Sequence, residues 1–174
     1  RSAGVVSYRD GHWRSQDTAT RAFGDLVRAV YVDRHEQVWL GTWNGLARLE
    51  GGNLGPWVTH AGRMPTAIDT IFEDRDGVVW VGTMGGGLYR IRAGAVTPHT
   101  AADGLVRDDL LAICADRAGR VWAGASDVGM DVRVDGAWHR LVTSGPLATA
   151  PVWSCTVDPH DSVLRSPSAP SSPT

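Results

Sequence analysis

The chain contains no lysine, and all seventeen of its basic residues are arginine. That bias reflects codon usage more than chemistry. Charge is nearly balanced, with a formal net of −2 at pH 7 and a pI of about 6.3. No global basic field therefore exists to draw nucleic acid or anionic lipid. No stretch approaches the roughly 18 apolar residues of a membrane span. No signal-peptide pattern opens the chain, and it begins at Arg1 without a methionine, so it reads as a piece of something longer. Two cysteines, Cys114 and Cys155, are too few for a disulfide framework. Phenylalanine and tyrosine are scarce, at two and three, whereas there are eight tryptophans and twenty-one glycines. Such a bias suits many short strands joined by tight turns. At 174 residues the chain is long enough to bury a sizeable core.

What is present is a repeat. Asp33, Asp74, Asp116 and Asp158 are spaced 41, 42 and 42 residues apart, and Trp39, Trp80 and Trp122 follow the first two intervals. Gly4, Gly45, Gly87 and Gly129 keep the same spacing, as do Gly11, Gly52, Gly94 and Gly136. Only the segment between Thr42 and Gly45 is one residue shorter than its counterparts. A period near 42 is the size of a four-stranded propeller blade.

Each unit reads as four strands. Strand A ends at the aspartate: Val27–Val32, Ile68–Glu73, Leu110–Ala115 and Val152–Val157. Its residues are apolar or small on both faces, which marks a strand buried on both sides and places it at the hub. An Asp-x-x-Gly turn follows, with Glu36 and Asp161 replacing the glycine in two copies. Strand B carries Val-Trp-x-Gly-Thr, strand C begins at the Gly-Leu step, and strand D follows the next glycine. The fold class is thus all-β, a β-propeller segment of about four blades. Residues 1–17 supply a partial blade; full blades fall near 26–58, 67–100 and 109–142; residues 151–164 supply a last partial blade. The two partial blades could combine to close a four-bladed ring, but an arc of a larger ring is the preferred reading. An open arc exposes apolar blade faces and tends to self-associate. Residues 165–174 form a Pro/Ser tail with nothing to bury, expected to be disordered.

At this level of detail the residues resemble a known family. Asp74–Arg90, followed by Asp103-Gly-Leu-Val-Arg-Asp-Asp-Leu-Leu-Ala-Ile113, is similar to the two-component regulator propeller repeat. Asp33–Arg48 fits except at Glu36, and Asp116–Gly129 fits with Ala125 in place of threonine. The resemblance covers about residues 4–164. It implies a seven-bladed sensor propeller on the periplasmic or extracellular side of a bacterial inner membrane, feeding a signalling output domain. It also implies a small-molecule or oligosaccharide ligand, with no cofactor. Neither nucleic acid nor membrane contact is expected of this segment.

Most conspicuous residues read as scaffold. Trp39, Trp80 and Trp122 are expected to pack between blades. Asp33, Asp74 and Asp116 are expected to cap turns, since calcium would need six or more converging oxygens and these carboxylates lie in separate blades. Met84-Gly-Gly-Gly-Leu88 lacks the lysine and helix of a phosphate loop and reads as a hairpin turn. Cys114 and Cys155 could approach each other on adjacent hub strands. A disulfide needs Cα atoms within about 7 Å, closer than blades usually pack, so two buried free thiols are expected.

Binding residues are sought where the repeats disagree. The B–C turns and D–A connectors vary in type and, once, in length, and in a propeller they share the face around the channel mouth. Loops on a rigid scaffold are where binding chemistry sits. Trp43 could stack on a sugar, with Asn44, Arg63, Arg107 and Asp127 as hydrogen-bonding partners. No catalytic set and no metal-type spacing emerges, so the segment is expected not to be an enzyme. The competing readings are a propeller lyase resembling the streptogramin lyases, for which His60 is the placed candidate and Glu73 belongs to a different edge, and a scaffold that docks another protein.

Overall fold

The computed structural model describes residues 6–15, 27–50, 53–59, 62–63, 67–127, 129–141 and 150–167. A hairpin of β1 (Val6–Arg9) and β2 (His12–Ser15) comes first. The first complete blade is a meander of β3 (Val27–Val32), β4 (Val38–Thr42), β5 (Gly45–Glu50) and β6 (Asn53–Pro56). A short ribbon, β7 (Val58–Thr59) and β8 (Gly62–Arg63), leads out of it. The second blade holds β9 (Ile68–Glu73), β10 (Val79–Thr83), β11 (Leu88–Arg92) and β12 (Ala95–His99). After a 3-10 turn at Ala101–Asp103, the third holds β13 (Leu110–Ala115), β14 (Val121–Ala125), β15 (Met130–Val134) and β16 (Ala137–Leu141). A hairpin of β17 (Val152–Val157) and β18 (Val163–Pro167) follows. All pairings are antiparallel, and β3, β9, β13 and β17 touch in succession, forming the hub side of a partial propeller.

The last strand departs from the sequence pattern. Pairing of β18 with β17 continues to Val152 opposite Pro167, so Arg165, Ser166 and Pro167 are strand rather than the start of a tail. Residues 168–174 lie outside the described residues.

The repeating aspartate does more than cap a turn. Oδ1 of Asp74 accepts the backbone N–H of Asp76 and of Val78, both at 3.0 Å, while Oδ2 accepts the indole N–H of Trp80 at 2.8 Å. Asp33 does the same with His35, Gln37 and Trp39, and Asp116 with Arg120 and Trp122. One carboxylate thus fixes both the A–B turn and the ring that fills the gap to the next blade. Burial by itself would raise the Asp33 and Asp116 carboxyls, but the hydrogen bonds outweigh it and hold both below the usual range. Glu36 (φ 60°) and Asp161 (φ 67°) adopt the left-handed backbone of the glycine they replace. Their turns close with the same bond, back to the Asp33 and Asp158 carbonyls at 3.0 and 3.1 Å.

Packing between blades explains the rest of the motif. Trp80 is buried against Leu110, Ile113 and Val121 of the third blade, and Trp39 against Ile68 and Ile71 of the second. The glycine of Val-Trp-x-Gly-Thr lies where the next innermost strand crosses. A Cβ on Gly41 would meet Ile68 at 2.7 Å, and one on Gly124 would meet Val152 at 2.7 Å. The arginines after Asp33 and Asp74 clasp the following blade. Arg34 donates to the Asp74 carbonyl at 2.6 Å, and Arg75 to the Arg117 carbonyl at 2.5 Å. On the outer side of the first blade, Val30 and Val32 stand exposed.

Cys114 and Cys155 form a disulfide, contrary to the expectation of free thiols. Successive hub strands approach more closely than blades do on average, and here the Cα atoms are 5.8 Å apart. The bridge joins β13 to β17 and so ties the last hairpin to the third blade.

Candidate functional site at the hub

Among the described residues, the B–C turns of the second and third blades share a face with the D–A connector residues they are hydrogen-bonded to. Met84 N–H donates to the Ala67 carbonyl at 2.9 Å, Gly87 N–H to Asp108 at 2.9 Å, and Ser126 N–H to Asp109 at 3.1 Å. On this face the five residues singled out from the sequence fall into separate places. Trp43 is half exposed, with the Arg28 guanidinium carbon 5.7 Å from its ring centroid. Asn44 donates its backbone N–H to Thr42 Oγ1 at 3.2 Å, as a turn residue. Arg107 and Asp127 are brought together: Arg107 Nε donates to both carboxylate oxygens at 3.2 Å, and both side chains are about half exposed. Arg63 pairs through its backbone with Val58 in the β7–β8 ribbon, and its side chain lies outside the described residues. Trp43 belongs to the first blade and Asp127 to the third, so the five do not make one constellation.

A different set converges. In every blade the innermost strand carries a β-bulge at the same repeat position, five residues before the aspartate. Val27 pairs with Thr42 and Ala29 with Gly41, leaving Arg28 as the extra residue. Asp69 is extra between Ile68 and Thr70, Leu111 between Leu110 and Ala112, and Trp153 between Val152 and Ser154. A bulge breaks the alternation of the strand and re-aims one side chain. Here it aims four different ones at the same place, since Arg28, Asp69, Leu111 and Trp153 line one cavity of about 290 Å³.

The chemistry of this cavity is mixed. Arg28 Nε donates to Asp69 Oδ1 in an ion pair, with the Asp69 side chain only 4% exposed. Asp69 Oδ2 is buried and accepts no hydrogen bond from the described residues. Leu111 supplies an apolar wall, and Trp153 presents a ring that is 57% exposed. Trp43 enters indirectly, stacked on the far side of Arg28. Where the scaffold positions repeat the same residue type, this position differs in every blade.

A second cavity, of about 580 Å³, opens between the A–B turns near Arg75, Asp116, Arg117 and Asp158. Its aspartates are committed to the scaffold: Asp116 to Trp122 and Arg120, Asp158 to the N–H groups of His160 and Ser162. Among the described residues no group of three or more potential ligands is placed to hold a metal. Glu73 accepts from Arg34 in an ion pair at 2.6 Å, and His60 lies outside the described residues. Burial pushes the His99 pKa down, and the charge of Arg133 adds to this. That ring, on the outermost strand of the second blade, packs between Trp80 and Trp138. No helix of the described residues is long and apolar enough to cross a membrane.

Comparison with known proteins now has a geometry to attach to. No curated protein matches the chain. Residues 62–85 match the family model of the two component regulator propeller. The chain carries a two component regulator propeller repeat. Among solved structures, this propeller segment is similar to the extracellular domain of a one component system from B. thetaiotaomicron. Identity there is 18% and the TM-score 0.74, over 95% of this chain and 24% of that one. It is also similar to virginiamycin B lyase from Staphylococcus aureus, at 14% identity and a TM-score of 0.74, over 94% of this chain and 56% of the lyase. A second structure of that B. thetaiotaomicron extracellular domain, there described as part of a hybrid two component system, matches at 20% identity and a TM-score of 0.72. The propeller segment spans about a quarter of the B. thetaiotaomicron domain, at 24% in both structures. Likeness at these identities establishes the fold, a partial β-propeller.

Proposed function

We propose that the chain is a ligand-binding segment of a sensory propeller in a bacterial signal-transduction protein, taking a small molecule or an oligosaccharide at the hub. It performs no chemistry of its own. Its partners are the remainder of the propeller and an output domain, and it works on the periplasmic or extracellular side of the membrane. One observation carries the reading: a bulge recurs in all four hub strands and turns four unlike side chains into one cavity. A scaffold made for packing alone has no need to vary that position. Two features support the location. A disulfide between hub strands suits an oxidising compartment, and the B. thetaiotaomicron relative is an extracellular domain. The rim residues Trp43, Asn44, Arg63, Arg107 and Asp127 extend the proposed surface around the hub.

The reading is tested by a thermal-shift and calorimetric screen of the purified chain against small metabolites, monosaccharides and short oligosaccharides. A saturable ligand whose binding is lost in Trp153→Ala supports it. If a ligand binds equally well to Trp153→Ala and to Asp69→Asn, the hub is not the site.

A further inference from the structure

The charge balance of the hub cavity narrows what it can hold. Arg28 and Asp69 neutralise one another across their ion pair, so the cavity presents a donor and an acceptor but no net charge. The acceptor is Asp69 Oδ2, buried and without a donor among the described residues. The donors are the two Nη groups of Arg28, which make no hydrogen bond to the described residues, its Nε alone being engaged. A buried acceptor left unpaired is costly, and a ligand donor relieves that cost. The cavity's other lining residues are Leu111 and the exposed ring of Trp153, which suit an apolar face. The volume, about 290 Å³, lies at the small end of ligand sites and accommodates one ring rather than several.

We propose that the cavity selects an uncharged ring with adjacent hydroxyls on one edge: one hydroxyl donates to Asp69 Oδ2, its neighbour accepts from Arg28 Nη, and the ring face lies on Trp153. A hydroxyl both donates and accepts, so a vicinal pair satisfies both protein groups at once. An anionic ring would compete with Asp69 for Arg28, and a cationic ring would compete with Arg28 for Asp69. Either breaks up the ion pair, whose Asp69 carboxylate is almost wholly buried. This deepens the ligand-binding reading above and rests on it.

The experiment is isothermal titration of the chain with glucose, galactose and N-acetylglucosamine, beside glucuronate and glucosamine as charged counterparts. The expected result is that a neutral ring binds and the charged ones bind about tenfold more weakly or worse. Asp69→Asn leaves Arg28 uncompensated. It should weaken the neutral ring about 10- to 100-fold and make glucuronate the better ligand. Trp153→Ala, a change at an exposed side chain, should weaken every ring while leaving the melt unchanged. A charged ring that binds the unaltered chain as tightly as the neutral one overturns the inference. So does neutral binding that survives both hub variants and is lost in Arg107→Ala, which would move the site to the rim. Failure of all five rings to bind overturns the neutral-diol inference; the small-molecule screen above then decides whether the chain binds a ligand at all.

Discussion

Removing the Cys114–Cys155 bridge, by Cys155→Ser or by reduction, should loosen one end of the arc. The bridge closes a loop with a sequence separation of 41 and joins the innermost strands of the third blade and the last hairpin, with Cα atoms 5.8 Å apart. Restricting the unfolded chain over such a loop is worth about 4 kcal/mol in the chain-entropy account. Domains are stable by only about 5–15 kcal/mol in total, so this is a large fraction. For a chain of this size the loss corresponds to a fall in Tm of roughly 8–16 °C. Packing at the same interface is small in area: Ala112, Met130 and Val152 form its buried core, with Trp122, Cys155 and Val163 around it. The last hairpin therefore depends on the cross-link more than the inner blades do. The assay is in two steps. Alkylation of the chain purified from an oxidising compartment, read by intact mass, should label neither cysteine until a reductant is added. Melting by circular dichroism, with and without reductant, should then show the shift, and Cys155→Ser should melt like the reduced chain. Two cysteines alkylated without reductant, or a Tm that ignores reduction, would refute the reasoning.

Three other perturbations separate the roles of the repeated residues. Trp80→Phe keeps the ring but leaves Asp74 Oδ2 buried without its donor, costing about 1–3 kcal/mol. Trp122→Phe should cost less, because Asp116 Oδ2 keeps Arg120 Nε at 2.5 Å; urea denaturation compares the two. Gly82→Ala places a Cβ 2.6 Å from Thr70 Cγ2 and 3.2 Å from the Leu110 carbonyl, forcing the second and third blades apart. Overpacking of this kind costs about 1–3 kcal/mol and is read from the same denaturation curve. The last concerns pH. Asp131 is almost wholly buried, and burial raises its pKa above 3.8 despite the Val106 N–H bonded to Oδ2 at 2.8 Å. A raised acid binds more protons folded than unfolded, so its contribution is full below pH 3.8 and declines as pH climbs toward the folded pKa. The stability of the native chain relative to Asp131→Asn should therefore fall as pH rises from 3.8, and level off once Asp131 is ionised in the folded chain. A difference that does not change with pH would count against a raised pKa.

Much of the architecture was legible because scaffold residues recur in phase. The aspartate, the tryptophan and the glycines mark strand ends and turns, and a period near 42 fixes the size of the blade. The coupling between these marks was less visible. A constant interval of six from Asp74 to Trp80 was the available sign that carboxylate and indole are bonded, yet each residue has a sufficient role alone. Arg34, Arg75 and Arg117 also stand in phase, directly after their aspartates, and two of them clasp the following turn. The cysteine pairing was misjudged because blade spacing is an average and the hub is its narrow end. The hub cavity was hidden for a physical reason. Alternation along a strand predicts which side chains share a face, and a bulge changes that assignment without any mark in the sequence. Arg28, Asp69, Leu111 and Trp153 have no chemistry in common, so no repeat comparison would group them as a motif. Their disagreement at one register position was the available signal. The loop residues Arg107 and Asp127 satisfy one another.

The central claim is that the repeat builds an inert frame and the bulge position meets the ligand. Fluorine NMR of the chain labelled with fluorotryptophan tests this most directly, with Trp153 assigned through Trp153→Phe. Titration with a bound neutral ring should move the Trp153 resonance, and that of Trp43 through Arg28, while Trp39, Trp80 and Trp122 stay in place. Movement of those three scaffold resonances with Trp153 unmoved would contradict the account.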